Sequence, residues 1–354
     1  MLVNAVSAHT GGGLTYAAEQ IPELAAREDL DLTVLATQPL ADWLRKQCPG
    51  LRLREQPRRP VWLRTAWEQA VIPFLARQHD AVYMLGNFAA LAYRGPQVVV
   101  LHNPLHFGMD GRAVRARIGS RRTRARVAFE TLAARASVRR ATRAIAVSRT
   151  LCAAVEEDVG RAAGLRTITS GVPALASPEN GAGGRSYALT VANDYPHKEW
   201  DKVIAEFATE LDLPPLLIVG ACRAKRRRRE LEERISRLPA GRISLLGAVQ
   251  DRAAIARLYG AAVCLVAHSR LEAAPLTPSE AISLGVPVAA TDIPAHREAC
   301  GSNAVYYDPD VPGSLARAVK DAARTPATGV PGELMSWREN AAAVAAILRE
   351  AAVG

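Results

Sequence analysis

The stretch from Arg270 to Val288 carries two carboxylates, Glu272 and Glu280, eight residues apart around a loop of Ala273, Ala274, Pro275, Leu276 and Thr277. Pro278 and Ser279 announce a helix there and place Glu280 in its first turn. Backbone N–H groups converging on one point, with a helix dipole behind them, suit a pyrophosphate. Two acids on either side of such a loop can hold hydroxyls of two different sugars; taken alone, Glu280 is equally a partner for the helix dipole. A second candidate is the run Thr10 to Gly13, with Gly12 and Gly13 after a first apolar stretch. Glycines at that place let a phosphate or sugar approach the backbone. The dinucleotide fingerprint does not fit, because Tyr16 stands where its third glycine belongs and Asp31 precedes the second strand instead of following it.

Strands and helices must alternate to position these loops. Apolar runs predict strands at 2–7, 32–36, 81–85, 97–102, 144–147, 188–191, 216–219, 243–246, 264–267, 288–290 and 304–307. Amphipathic stretches between them, such as 14–27, 201–211, 252–258 and 279–284, have helical spacing. Strands joined through helices make parallel sheets covered on both faces, and eleven strands exceed one ordinary open sheet. Residues 173–184 are rich in Pro, Gly, Ser and Asn and read as a linker. The expected organisation is a first Rossmann-like domain at 1–173, a linker at 174–186, a second such domain at 187–330, and a segment 331–354 whose helix at 333–350 returns toward the first domain. The apolar members of that helix are Trp337, Val344, Ala345, Ile347 and Leu348.

The net charge of +10 lies wholly in the first half of the 354 residues. It concentrates between Arg112 and Arg143, where eleven arginines meet one acid, Glu130. Three readings fit this segment: contact with an anionic membrane, a docking surface for a phosphate-bearing acceptor, or a solvated helix face. Aromatic residues are only 5% and none but Phe129 interleaves the arginines, so stacking platforms for nucleic acid are lacking. Five scattered cysteines show no zinc or disulfide spacing and point to a reducing compartment. No apolar run is long enough to span a bilayer. The expected location is cytoplasmic, with peripheral contact at the inner face of the membrane.

From Glu272 the sequence continues through Glu280, Ala281, Gly285, Pro287 and Val288, and it resembles the retaining glycosyltransferase family 4 of GT-B fold, whose signature is Glu, seven residues, then Glu-Ala-x-x-x-Gly-x-Pro-Val. The resemblance runs nearly end to end through Trp67-Glu68-Gln69, Leu101-His102-Asn103-Pro104, Ser170-Gly171-Val172-Pro173, Pro196-His197-Lys198, Tyr307-Asp308-Pro309 and Ser336-Trp337. It implies an α/β architecture of two Rossmann-like domains whose parallel sheets face a cleft, closed by a C-terminal helix. It also implies Glu272 at the donor sugar, Glu280 at the nucleotide ribose and Lys198 on the donor phosphates. Asn193 stands where family members often carry a second cation for the pyrophosphate, which leaves one fewer charge on the leaving group. Ala273, Ala274 and Pro275 replace the family's Gly-Phe-Gly, and His102 matches a histidine near the donor sugar.

The expected catalytic set is therefore His102, Glu272 and Lys198. The donor set is Gly12, Gly13, Asn193, Lys198, Glu272, Ala274, Pro275, Leu276, Thr277 and Glu280. His9, Asn87 and Asn103 are candidates for the acceptor side. Lys198 and loop amides can stabilise the departing diphosphate, so no metal and no cofactor is expected beyond a nucleotide-diphosphate sugar. The pairs Asp29/Asp31 and Asp308/Asp310 resemble a metal-binding Asp-x-Asp only in spacing. The expected reaction is transfer of a hexosyl unit, with retention, to an acceptor hydroxyl on a cell-envelope saccharide, a lipid-linked glycan or a natural product. The rivals are a GT-B nucleotide-sugar epimerase, a non-enzymatic nucleic-acid-binding protein, and a homologue that binds sugar nucleotide without turnover.

Overall fold

In the computed structural model the described residues are 1–9, 11–161, 164–172, 184–249, 251–325 and 335–353. The linker expected at 174–186 lies outside them as far as residue 183. The chain divides into two units, the first containing the described residues up to Gly171 together with those from Met335 on, the second containing Val172 and residues 184–325.

Unit 1 is built on seven parallel strands: β1 (Leu2–Ala5), β2 (Thr33–Ala36), β3 (Arg52–Glu55), β4 (Val82–Leu85), β5 (Gln97–Leu101), β6 (Arg143–Ala146) and β7 (Leu165–Thr167), in the order 3-2-1-4-5-6-7. The central strands are mostly apolar because helices cover both faces, and every residue of β1, β2, β4 and β5 is buried, the polar Asn4, Thr33 and Gln97 included. The covering helices are α1 (Gly11–Ala25), α2 (Leu40–Gln47), α3 (Val61–Leu75), α4 (Gly108–Ala116), α5 (Arg121–Arg140) and α6 (Arg149–Val159). β3 and β7, absent from the expected strands, are the two edges of this sheet.

Unit 2 has six parallel strands, β8 (Tyr187–Val191), β9 (Leu216–Val219), β10 (Ile243–Gly247), β11 (Ala262–Ala267), β12 (Val288–Thr291) and β13 (Ala304–Tyr307), in the order 10-9-8-11-12-13. Its helices are α7 (Trp200–Thr209), α8 (Lys225–Ile235), α9 (Arg252–Gly260), α10 (Leu276–Ser283), α11 (Pro294–Cys300) and α12 (Ser314–Arg324). One core, around Trp200, Phe207, Ile218 and Val319, fills one face of the sheet, and another, around Leu189, Tyr259, Leu265 and Ile282, fills the other. Gly220 is required where β9 ends, because a Cβ there would sit 1.8 Å from the carbonyl oxygen of Ala192.

The closing helix, α13 (Trp337–Val353), packs on α1 in unit 1. Ser336 and Glu339 exchange hydrogen bonds at its start, each accepting from the other's backbone N–H. Its apolar members Trp337, Val344, Ala345, Ile347 and Leu348 are all buried. A buried polar chain joins it to the sheet. Asn340 donates to the Thr169 carbonyl at 2.8 Å and accepts from Gln20 at 2.6 Å, and Tyr83 donates to Gln20 at 2.8 Å.

Three expectations on element boundaries are corrected. The helix expected from Leu14 begins at Gly11, so the glycines form its first turn. The helix carrying Glu280 begins at Leu276, which moves that acid into the second turn. The basic segment 112–143 is not one helix: α4 ends before Ile118, Gly119 and Ser120, and the Ser120 side chain caps α5 by accepting from the Thr123 N–H at 3.4 Å.

Candidate active site

In open parallel sheets ligands collect beyond the carboxyl ends of the strands, at the point where the strand order reverses. In unit 2 that point lies between β8 and β11. Asn193 and Lys198 follow β8, and Glu272 and α10 follow β11, so the topology alone brings together the expected donor residues of unit 2, whereas Gly12 and Gly13 of the expected donor set belong to unit 1.

Lys198 closes a short 3-10 turn at Pro196–Lys198, and its Nζ is hydrogen-bonded to Oε1 of Glu272. Burial alone would raise the Glu272 carboxyl. The Lys198 charge, aided by His197 and His296, overcomes burial and holds it at about 2. Burial keeps His296 near 4, which leaves this imidazole neutral at pH 7 with its Nδ1 2.9 Å from the Thr291 carbonyl oxygen. Ala274 and Pro275 lead into α10, whose first residues are Leu276 and Thr277; the helix has no side-chain cap, and the N–H groups of its first turn lack intrahelical acceptors. Glu280 is 4% exposed. It accepts from Tyr259 at 2.9 Å and from Arg252 at 3.2 Å; burial raises its carboxyl while these partners pull it back. Asn193 points its side-chain oxygen at the Ala221 N–H, 2.9 Å away, and so supports the loop after β9.

A second layer of residues, missed in the sequence, fixes this pair. Glu199, next to Lys198, adopts a left-handed conformation with φ of 38° and accepts from Nε of Arg270 at 2.7 Å. Arg270 also grips Asp310, and its backbone N–H donates to the His197 carbonyl at 2.8 Å. His268 lies 3.3 Å from Glu199 and 2.8 Å from the Tyr307 hydroxyl. Burial opposes the Glu199 charge, but His268, Arg270 and Lys202 hold the carboxyl at about 2. The turn bearing Lys198 and the loop bearing Glu272 are thereby latched to each other. Glu199 is next to Lys198 and Arg270 lies two residues before Glu272, and that closeness was the available sequence signal; Tyr259 and Arg252 offered none.

In unit 1 the sequence order again reverses between β1 and β4. His9, Gly12 and Gly13 follow β1; Asn87 follows β4; His102 and Asn103 follow β5. A Cβ built on Gly12 or Gly13 would meet nothing within 4 Å, so the chain's own packing does not demand glycine there. The His102 ring stands edge-on to Tyr16 with centroids 4.5 Å apart, and burial lowers its pKa to about 4. Asn87, at φ of 67°, accepts from the backbone N–H groups of His102 and Asn103 at 2.6 and 2.9 Å. Asn103 accepts from the Leu105 N–H at 3.0 Å. These two asparagines therefore shape the loop that carries His102. Asp29 pairs with Arg27 and Arg349, and Asp310 with Arg270 and Lys202. Among the described residues no group of three or more His, Cys, Asp or Glu side chains could hold a metal ion.

Residues 184–324 match the family model described as Glycosyl transferases group 1. No curated protein sequence matches the chain. Among solved structures, HepE from Anabaena, in complex with UDP and glucose, superposes with a TM-score of 0.74 at 19% identity, covering 99% of both chains. Sucrose-phosphate synthase from Thermosynechococcus elongatus gives 0.67 at 16% identity over 99% of this chain and 96% of that one. WaaG, a glycosyltransferase involved in lipopolysaccharide biosynthesis, gives 0.66 at 18% identity over 99% and 98%. The chain therefore carries a group 1 glycosyl transferase domain within a GT-B fold, the domain and the architecture of a glycosyltransferase.

Proposed function

We propose that the chain is a retaining glycosyltransferase of family 4, moving a hexosyl unit from a nucleotide-diphosphate sugar to the hydroxyl of an envelope saccharide, a lipid-linked glycan or a natural product. The observation that carries this reading is the Lys198–Glu272 pair at the strand-order reversal of unit 2, beside the uncapped start of α10. Binding of UDP and UDP-glucose by the Anabaena protein supports a nucleotide sugar as donor.

In this reading the donor diphosphate takes Lys198 from Glu272. The ammonium group and the amides of Leu276 and Thr277 then meet the charge that grows on the β-phosphate as the glycosidic bond breaks. Glu272, released, accepts from sugar hydroxyls, and Glu280 accepts from the ribose. A double displacement needs two carboxylates about 5 Å apart across the anomeric carbon, and the groups that act on Glu272 are Lys198, His197 and His296, not a second carboxylate. Retention then follows a same-face route: the acceptor oxygen bonds to the anomeric carbon on the side the diphosphate leaves, and the leaving phosphate oxygen takes the acceptor proton. His102, neutral at pH 7, serves as a hydrogen-bonding group and not as a cation. No metal or cofactor takes part, so a chelator leaves the rate unchanged.

The acceptor is assigned to unit 1, with His9, Asn87 and Asn103 on its side. Met109, Phe129 and Leu132 are 65%, 64% and 67% exposed on the arginine-rich α4 and α5, which supports peripheral contact with an anionic membrane. The test is hydrolysis and transfer with a panel of UDP-, GDP- and dTDP-sugars, with the product anomer read by NMR. Retention of the donor's anomeric configuration supports the reading; inversion, or release of an epimerised free sugar, refutes it.

A further inference from the structure

The backbone and the ring of His102 are held by different partners. Asn87 accepts from the backbone N–H, but neither ring nitrogen makes a hydrogen bond among the described residues. The ring stands instead against Tyr16 at an interplanar angle of 73°, in the edge-on arrangement that aromatic pairs favour. Tyr16 is buried on α1, one turn beyond Gly12, and its hydroxyl accepts from Nε2 of Gln20 at 2.7 Å. That same nitrogen of Gln20 donates to Asn340 of α13.

The closing helix touches Tyr16 a second time. Trp337, its first residue, stands at 86° to the Tyr16 ring with centroids 5.1 Å apart. Trp337 is buried, its indole N–H has no acceptor among the described residues, and a Cβ on Gly171 would come within 2.5 Å of its ring. Buried indole N–H groups ordinarily find a partner, and leaving one unpaired destabilises a fold. The place is therefore kept for what the ring touches. Ring contacts run without a break from the start of α13, through Tyr16, to His102.

We infer that Tyr16 and Trp337 are positioning residues for the transfer reaction: through them α13 fixes the imidazole of His102 at the carboxyl end of β5 and leaves both ring nitrogens to the ligand. The inference rests on the reading of His102 as a hydrogen-bonding group at the donor sugar, and it makes the C-terminal helix part of the working site. Tyr16 is the titratable side chain in contact with the imidazole, and burial keeps it from ionising. No charged group among the described residues shifts the imidazole, which burial lowers to about 4. Removing the Tyr16 ring admits water, so the imidazole then titrates closer to 6.5 and loses its accepting nitrogen at mildly acid pH.

The test follows donor hydrolysis, UDP affinity by calorimetry, and the NMR titration of 13C-labelled histidine in the full chain, with His102→Gln identifying the His102 signal. The variants are Tyr16→Leu, Tyr16→Phe and Trp337→Leu. Expected in Tyr16→Leu is a kcat lowered about ten-fold or more with UDP affinity unchanged, a His102 titration moved up from about 4, and a loss of rate below pH 6.5 that the wild type lacks. Trp337→Leu moves the same quantities in the same direction by less, and Tyr16→Phe, which keeps the ring, retains the wild-type rate and pH profile. An unchanged titration and pH profile in Tyr16→Leu, or an equal loss of rate in Tyr16→Phe, overturns the proposal. Should Tyr16→Leu fail to fold, Tyr16→Met keeps the core filled and takes its place; a wild-type His102 that titrates near 6.5, or shows no nuclear Overhauser contact with Tyr16, overturns the proposal without any variant. If His102→Gln keeps the full rate, the reading of His102 fails, while the titration in Tyr16→Leu still shows whether the ring contacts hold the imidazole.

Discussion

Lys198 and Glu272 neutralise each other before any ligand arrives, and this governs how each responds to substitution. Lys198→Gln removes the cation proposed to meet the leaving diphosphate and is expected to lower the turnover rate about 10²- to 10³-fold, with weaker UDP binding. Glu272→Gln is expected to cut turnover while UDP binds at least as tightly as in the wild type, since the ammonium group is set free. Calorimetry with UDP and a hydrolysis assay separate the two, and equal weakening of UDP by both would contradict the pairing. The buried imidazoles give a second prediction. His102, His106 and His296 titrate near 4 in the folded chain against 6.5 when exposed, so the unfolded chain binds more protons between those values. Stability is present above pH 6.5 and lost as pH falls toward 4. The thermal midpoint should drop from pH 7 to 4.5, and no activity loss should accompany a rise through pH 6.5; a midpoint flat in pH contradicts the assignment.

At the level of elements, strands were legible where both faces are covered. β4, β5 and β9 announce themselves as apolar runs, whereas β3, with Arg52, Arg54 and Glu55, and the three-residue β7 are edge strands with mostly exposed side chains and no such run. The Lys198 turn and the Glu272 loop were readable from residue types and spacing. The latch of Glu199, Arg270, His268 and Asp310 was not, because it joins segments about 70 and 40 residues apart through contacts that only the order of β8, β11, β12 and β13 in the sheet creates. Arg270→Met should lower turnover more than it lowers UDP affinity, by loosening Lys198 relative to Glu272; an unchanged rate would remove the latch from the account. Gly220→Ala, which places a Cβ against the Ala192 carbonyl, should destabilise unit 2 by about 2 kcal/mol or more in chemical denaturation.

For the molecule as a whole, the proposed division of labour follows the division of charge. The excess of arginine lies in the first half of the sequence, in the unit assigned to the acceptor, and exposed Phe129 and Leu132 lie among those arginines. Replacing both with Asp should abolish co-sedimentation with vesicles rich in anionic lipid and leave donor hydrolysis intact; undiminished sedimentation would remove the membrane from the proposal. The most direct measurement for the central assignment is a crystal structure of the chain with UDP. The account predicts the β-phosphate within hydrogen-bonding distance of Lys198 Nζ and of the Leu276 and Thr277 amides, with the ribose on Glu280. A UDP seated elsewhere, with Lys198 still closed on Glu272, would contradict it.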